Sequence, residues 1–264
     1  MFGAKNGEVL YLDRLGRVLP KEASIRSTIN SIGPLDDSNA LLGTVDGLEV
    51  VRLHDSAYSG YRASFRENVS ATVVVGTRIF SGSKDGILRE WTRAGNLTPL
   101  STSSYAKISR SILKLFDNGG SLIIVSRDKI SVARGYDINS IIDIPVNGIL
   151  RDAVFIDRNT LIACGEGGIY QVNLVDGVYT RVISSSVTRK YNCVSSLASG
   201  VVVIGSEDGL VAALDLDSGE EIGAVRTDSP VRGLLVRGQR LYVYGGAWNG
   251  KGHAISTIGW QLVA

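Results

Sequence analysis

The sequence predicts an all-β fold, and two observations carry that prediction. No stretch of ten or more residues repeats its apolar residues at the 3.6-residue spacing of a helix. Short apolar runs instead flank turns, as residues 201–204 and 210–216 flank Gly205-Ser-Glu-Asp208-Gly209. An Asp-Gly pair between two such runs predicts a tight hairpin, and a type I′ turn there would require positive φ at both central residues.

This hairpin motif recurs along the whole chain. Gly-x-x-Asp/Asn-Gly, with two degenerate copies, ends at positions 7, 47, 86, 129, 168, 209 and 250, so that successive copies lie 39 to 43 residues apart. A steady period near 40 in an all-β sequence indicates a β-propeller with four strands in each blade. Seven copies predict seven blades, and the unbroken repeat predicts a single domain over residues 1–264.

Each blade is expected to place its second and third strands in the hairpin. The strands predicted for the first three blades are 2–4, 8–12 and 17–19, then 27–33, 40–45, 48–53 and 61–65, then 69–75, 78–83, 87–92 and 97–101. Those of the next three are 108–116, 122–126, 130–133 and 140–144, then 149–156, 160–164, 169–174 and 179–183, then 191–197, 201–204, 210–216 and 221–225. The last blade is predicted to use 231–236, 240–244 and 253–258.

The two ends of the chain are expected to meet in one composite blade. Proline 20 is expected to end the third strand of the first blade, and no strand precedes Phe2 to serve as that blade's inner strand. Residues 261–264 are either the outer strand of the last blade or the missing inner strand of the first. An open ring would leave exposed sheet edges, which favours closure by the two termini.

Two stretches resemble known propeller repeats. Gly205-Ser-Glu-Asp208-Gly209, with Ala213-Leu-Asp215 and Ser218-Gly-Glu220, resembles the repeat of quinoprotein-like (PQQ-like) propellers, but Ile222-Gly223 stands where that family places a docking tryptophan. Residues 80–91 resemble a WD repeat, with Asp85 in the turn and Trp91 at the strand end, although the upstream Gly-His pair is missing. Both resemblances imply a propeller. WD-repeat proteins are mostly non-catalytic platforms, whereas quinoprotein-like repeats include enzymes and assembly factors.

Composition sets limits on function. The 28 basic and 26 acidic side chains leave a net charge of +2, which gives no bulk attraction to nucleic acid or acidic membranes. Neither an 18-residue apolar run nor a basic-then-apolar leader occurs, and Cys164 and Cys193 are the only cysteines. We therefore expect no membrane association, no disulfide framework and a cytoplasmic location. The scarcity of Met and Cys fits a heat-adapted source.

Basic residues recur where the inner strands begin, about 20 residues before each hairpin glycine. They are Arg26, Arg66 (with Ser70 as the alternative at that position), Arg110, Arg151, Arg189 or Lys190, and Arg232. In a propeller these positions face the channel mouth, where arginine forks could bind an acidic peptide, a phosphate or a nucleic-acid backbone. The alternative is that each arginine pairs with a hairpin acid, because Asp46, Asp85, Asp128, Glu166 and Asp208 are expected at the same end.

One aromatic residue is a second candidate for partner binding. Trp248 lies in the glycine-rich turn 245–250, where an exposed ring could anchor a partner or could fold over the closure of the ring. No metal or cofactor is expected, since His54 and His253 are far apart and inner-strand acids are scarce, Asp152 being the clearest.

These observations favour a non-catalytic scaffold that binds partner proteins in a larger cytosolic assembly. Two alternatives stay open: binding of nucleic acid or another polyanion through the arginines, and a hydrolase or quinone-dependent enzyme at the channel mouth.

Overall fold

The computed structural model describes residues 2–3, 8–12, 18–24, 27–37, 39–52, 58–62, 67–93, 100–108, 110–183, 189–237, 240–245 and 254–259. Within these residues the regular structure is entirely β, without a helix. The chain divides into two compact units, Met1–Ile142 and Asp143–Ala264. An all-β fold is therefore confirmed for the described residues.

The first unit contains strands β1 to β14 and the beginning of β15. Their bounds are β1 Phe2–Gly3, β2 Glu8–Leu12, β3 Val18–Ser24, β4 Ile29–Pro34, β5 Asn39–Thr44, β6 Gly47–Arg52, β7 Tyr58–Arg62, β8 Val69–Val75, β9 Arg78–Ser83, β10 Ile87–Arg93, β11 Leu100–Lys107, β12 Ile112–Asp117, β13 Ser121–Ser126, β14 Lys129–Arg134 and β15 Ile141–Pro145. They form antiparallel sheets in the orders β1-β2-β3, β4-β5-β6-β7, β8-β9-β10-β11 and β12-β13-β14-β15.

The second unit continues the same pattern. Its further strands are β16 Ile149–Phe155, β17 Thr160–Glu166, β18 Gly168–Asn173, β19 Val178–Ile183, β20 Tyr191–Ala198, β21 Val201–Ser206, β22 Leu210–Asp215, β23 Glu221–Arg226, β24 Val231–Arg237, β25 Arg240–Gly245 and β26 Ala254–Gly259. The sheet orders are β16-β17-β18-β19, β20-β21-β22-β23 and β24-β25-β26. Each four-stranded sheet is a meander, as the repeat predicts.

Successive sheets of a unit pack face to face through their β-branched and leucine side chains. In the first unit Phe80 and Leu88 share a buried cluster with Ile112, Leu122 and Ile124 of the following sheet. In the second unit a cluster joins the sheet of β20–β23 to that of β24–β26. Such burial contributes about 25 cal/mol per Å² of apolar surface, which is the main stabilisation available to sheets of this size.

The first glycine of the repeat motif permits close packing between sheets. A Cβ at Gly82 would lie 2.4 Å from Cγ2 of Ile112, and one at Gly205 would lie 2.4 Å from Cγ1 of Val231. Both neighbours stand on the first strand of the next sheet. The motif therefore reflects close packing between sheets as well as the formation of a turn.

The hairpin turns differ from the predicted type I′ geometry. Gly86 and Gly209 have a φ of 81°, but Asp85 and Asp208 are not in the positive-φ region. Ser206 Oγ contacts the Asp208 carboxylate and accepts a hydrogen bond from the Leu210 amide at 3.0 Å. The prediction of two positive-φ residues was wrong because this hydroxyl and a single glycine complete the turn.

Four strand predictions in the first unit were also wrong. β7 lies at Tyr58–Arg62 rather than 61–65, and β12 begins at Ile112 rather than at residue 108. β3 continues through Pro20 to Ser24, because it is the last strand of its sheet and a proline is tolerated on a free edge. β11 begins at Leu100 and runs to Lys107, beyond the predicted 97–101.

Three outer strands each carry a one-residue β-bulge, and the outer strands β3 and β7 have larger register shifts. The extra residue is Ser103 in β11, Val182 in β19 and Ile222 in β23, since the register shifts by one residue at each of these points. A bulge bends the strand and raises its twist locally.

Candidate functional site

The first strands of six sheets begin in the same unusual way. Each contains a β-bulge at its second or third residue, opposite the second strand. The extra residues are Asn30, Ser70 and Leu113 in the first unit and Arg151, Asn192 and Arg232 in the second. A bulge changes the direction of its side chain, so these side chains do not follow the alternation between the two faces of the sheet. All of these bulges lie at the end of the sheet where the hairpin turn lies. We call this end of each sheet the turn end.

Several bulge side chains bind the first strand of the next sheet. Asn30 Nδ2 donates to the Val69 carbonyl at 2.8 Å, and Asn192 Nδ2 donates to the Val231 carbonyl at 2.9 Å. Ser70 contacts the Ile112 carbonyl in the same manner. In each case the acceptor directly precedes the next bulge residue. These hydrogen bonds from the bulge side chains therefore hold neighbouring sheets together within each unit.

Arg151 uses its bulge position to reach acceptors on two sheets. Its Nη2 donates to Glu166 Oε1 at 2.7 Å, and its Nη1 donates to Asn192 Oδ1 at 2.7 Å. Nη1 also lies 3.7 Å from Glu207 Oε2. The guanidinium group thus connects the hairpin turn of its own sheet to that of the next sheet.

Arg232 forms a bidentate ion pair with Glu207 at the turn end of the second unit. Its Nη1 and Nη2 donate to the two oxygens of Glu207, both at 2.9 Å. Asn192 Nδ2 donates to the same carboxylate at 2.9 Å. Burial opposes ionisation of Glu207, but the Asn192 hydrogen bond and the charges of Arg232 and Arg151 outweigh it and lower the pKa of Glu207.

This lowered pKa makes a prediction for acid stability. The contribution of ionised Glu207 is complete above its ordinary value of 4.5 and is lost as the pH falls through the lowered value. Glu207→Gln should therefore flatten the decline in the free energy of unfolding between about pH 6 and about pH 3, by up to about 1 kcal/mol for a partly exposed pair. Urea unfolding followed by circular dichroism measures this, with the exposed Glu220→Gln as control. A decline in Glu207→Gln as steep as in the wild type would contradict it.

Arg189 and Lys190 precede β20 and also face carboxylates. Arg189 Nε lies 3.4 Å from Asp208 Oδ2, and Arg226 Nη1 lies 3.3 Å from the same oxygen. The Ser206 hydrogen bond and these two charges lower the pKa of Asp208 against the effect of burial. Lys190 Nζ is 3.9 Å from Glu166 Oε1 and its side chain is 52% exposed. Five cations thus share three carboxylates in this part of the second unit.

The first unit has a different charge arrangement. Arg110 is exposed and makes no ion pair with any described residue. The same holds for Lys84 and Arg127, in the hairpin turns of the two neighbouring sheets. Lys107, at the end of β11, donates to the backbone carbonyl of Asp85 and pairs with no carboxylate of the described residues. We call Lys84, Lys107, Arg110 and Arg127 the basic turn patch.

The structure places the predicted site residues as follows. Arg151 and Arg232 meet through Asn192 and Glu207, whereas Arg110 belongs to the first unit. Arg26, Arg66 and Trp248, with the hairpin 246–250, lie outside the described residues, as do His54, His253 and residues 261–264. Asn192, Glu207 and three members of the basic turn patch were not predicted, although Arg151, Asn192 and Arg232 repeat at the period of the hairpins.

Two further sequence expectations concern metals and membranes. The described residues include no group of three or more metal-ligating side chains, and Asp152 accepts hydrogen bonds from the backbone amides of Ala153 and Val194. In the same part of the chain, no helix has the length and hydropathy needed to cross a bilayer.

Comparisons with known proteins identify the fold. No family model and no curated protein sequence matches the chain. Among solved structures it is similar to the WD40 β-propeller domain of Doa1, with 17% identity, a TM-score of 0.72, and coverage of 91% of this chain and 83% of that one. It is also similar to the computationally designed Ika8 protein, with 15% identity, a TM-score of 0.66, and coverage of 92% and 76%. The chain has a β-propeller-like fold.

Proposed function

We propose that this protein is a non-catalytic propeller that binds partner proteins and holds them in a larger cytosolic assembly. The structural likeness to a WD40 domain and the WD-like residues 80–91 support the proposal, because WD-repeat proteins are mostly binding platforms. The quinoprotein-like resemblance of residues 201–220 is also compatible with this proposal, since that family includes assembly factors.

The proposal includes a ring of seven blades closed by both chain ends. Among the described residues, five sheets have four strands, and the two sheets nearest the ends of the chain have three each. A propeller needs its terminal blades completed to remove free edges. In this proposal residues 261–264, which lie outside the described residues, supply either the outer strand of the last sheet or the inner strand of the first.

One observation carries the binding function: the excess of cations over carboxylates at the turn end of the second unit. Arg151, Arg189, Lys190, Arg226 and Arg232 share Glu166, Glu207 and Asp208. The ion pairs among these residues hold the guanidinium groups in place, while the side chains of Lys190 and Arg226 stay more than half exposed. A partner carboxylate could therefore bind there without any buried pair being broken.

Removing the two exposed charges tests this function. The double variant Lys190→Gln/Arg226→Gln should recover partner proteins from a nuclease-treated extract of the native source at least about fivefold less efficiently than the wild type. Its thermal midpoint should stay within about 2 °C, because exposed ion pairs contribute little. Quantitative mass spectrometry of the tagged chain measures recovery.

The matched control is Arg158→Gln, an exposed cation at the other end of a sheet in the same unit. It should retain the partners. Failure of every version to retain a protein would overturn the scaffold function. Partners that are retained from an untreated extract but lost after nuclease treatment would instead assign the cations to nucleic acid. Retention from the untreated extract should then fall steeply with salt concentration.

A further inference from the structure

Three backbone segments of the first unit lie side by side at its turn end. The Ile108 amide donates to the Gly86 carbonyl at 2.9 Å, which joins the end of β11 to the hairpin turn of its own sheet. The Arg127 amide donates to the Ser111 carbonyl at 3.1 Å, which joins the start of the next sheet to that sheet's hairpin turn. These bonds bring the four members of the basic turn patch onto one continuous stretch of surface.

The patch keeps its positive charge. All four of its side chains belong to exposed residues, and none of them pairs with a carboxylate of the described residues. The carboxylates of Asp85 and Asp128 accept hydrogen bonds from the hydroxyl groups of Ser83 and Ser126 inside the same turns, so four cations stand beside two carboxylates. In the second unit, by contrast, Arg151 and Arg232 are paired with carboxylates. An excess of positive charge of this kind attracts an anionic partner and raises the rate of encounter with it.

An aromatic ring lies beside the patch and is held in place. Tyr105 is 67% exposed, and the Arg89 guanidinium carbon lies 5.4 Å from its ring centroid. Arg89 is itself fixed by Glu67, to which its Nε donates at 2.9 Å while Nη2 contacts the second oxygen. Tyr105 and Lys107 are two residues apart in β11, so they project from the same face of the strand. Fixed tyrosines of this kind are typical anchors of protein interfaces.

We propose that the basic turn patch and Tyr105 bind an acidic peptide segment of a partner protein. Carboxylates of the segment pair with Lys84, Arg110 and Arg127, and an apolar side chain packs on the Tyr105 ring. The positive charge of the patch favours an anionic partner. The adjoining Tyr105 ring favours a peptide that carries an apolar residue between its acidic residues. This inference rests on the proposed scaffold function and names the chemistry of the partner.

Selection from a random library tests the proposal directly. Phage-displayed 12-residue peptides are selected on the full-length protein and counter-selected on Lys84→Gln/Arg110→Gln/Arg127→Gln. The selected peptides should be rich in Asp and Glu and contain an aromatic or aliphatic residue. Measured by fluorescence anisotropy, their Kd should rise at least about tenfold in the triple variant and about threefold in Tyr105→Ser. They should bind Arg158→Gln like the wild type.

Other outcomes would overturn the proposal. Selected peptides without acidic enrichment, or an equal loss of binding in Arg158→Gln, would show that the patch is not the site. A fluorescent single-stranded oligonucleotide that binds more tightly than every peptide and displaces them would assign the patch to nucleic acid. Exposed Gln substitutions are expected to be compatible with folding, and circular dichroism is used to check each variant. If the triple variant still recovers the native partners, only the assignment of the patch fails and the scaffold function stands.

Discussion

Replacing Gly165 by alanine is expected to destabilise the protein by at least about 3 kcal/mol. A Cβ at this position would lie 2.0 Å from the Ile149 carbonyl oxygen and 2.9 Å from the Leu150 Cα. These are backbone atoms of β16 beside its bulge, so no side-chain rotation relieves the clash. Urea unfolding followed by circular dichroism measures the loss, and part of the protein is expected to be insoluble.

The control for this substitution is Gly120→Ala. A Cβ at Gly120 meets no atom within 4 Å, so that variant should unfold at the urea concentration of the wild type. A midpoint for Gly165→Ala equal to that of Gly120→Ala would mean that β16 shifts to admit a methyl group, and would contradict the close packing described for this pair of strands.

Asp152→Ala is expected to cost about 3 kcal/mol of unfolding free energy. The Asp152 carboxylate is buried and accepts the Ala153 amide at 2.9 Å and the Val194 amide at 3.0 Å. Val194 stands on the first strand of the next sheet, so the substitution leaves a buried amide unpaired and removes a link between two sheets. Chemical denaturation again measures the effect.

Asp157→Ala separates the effect of burial from the loss of a carboxylate. Asp157 also accepts two backbone amides, those of Asn159 and Thr160, but it lies in an exposed turn. Water replaces its hydrogen bonds after substitution, so the loss should be much smaller. Equal losses for the two alanine variants would show that the link from Asp152 to Val194 contributes nothing beyond a local turn.

The strands that the sequence predicts best are those bounded by clear turn residues. β8 and β9 begin and end at the predicted residues, because Gly76-Thr77 separates them and Lys84-Asp-Gly86 follows β9. β11 was misplaced because Ser101 to Ser104 carry no apolar alternation. Its position depends on pairing with β10, which is a tertiary property.

The candidate site was predictable only in part. Counting back from the hairpin glycine located Arg151 and Arg232, since both follow the period of the repeat. It did not locate Asn192 or Glu207, because the partner of each arginine depends on the direction in which a bulge turns its side chain. Bulges leave no residue-type signature in a single sequence.

The bulges in β11, β19 and β23 have a consequence for behaviour at high concentration. Among the described residues, each of these strands is the last of its sheet, with no further strand paired along its outer side. A second copy of the chain that tried to extend such a sheet would lose its pairing after a few residues, where the strand bends. Outer strands with such bulges therefore resist edge-to-edge aggregation and fibre growth.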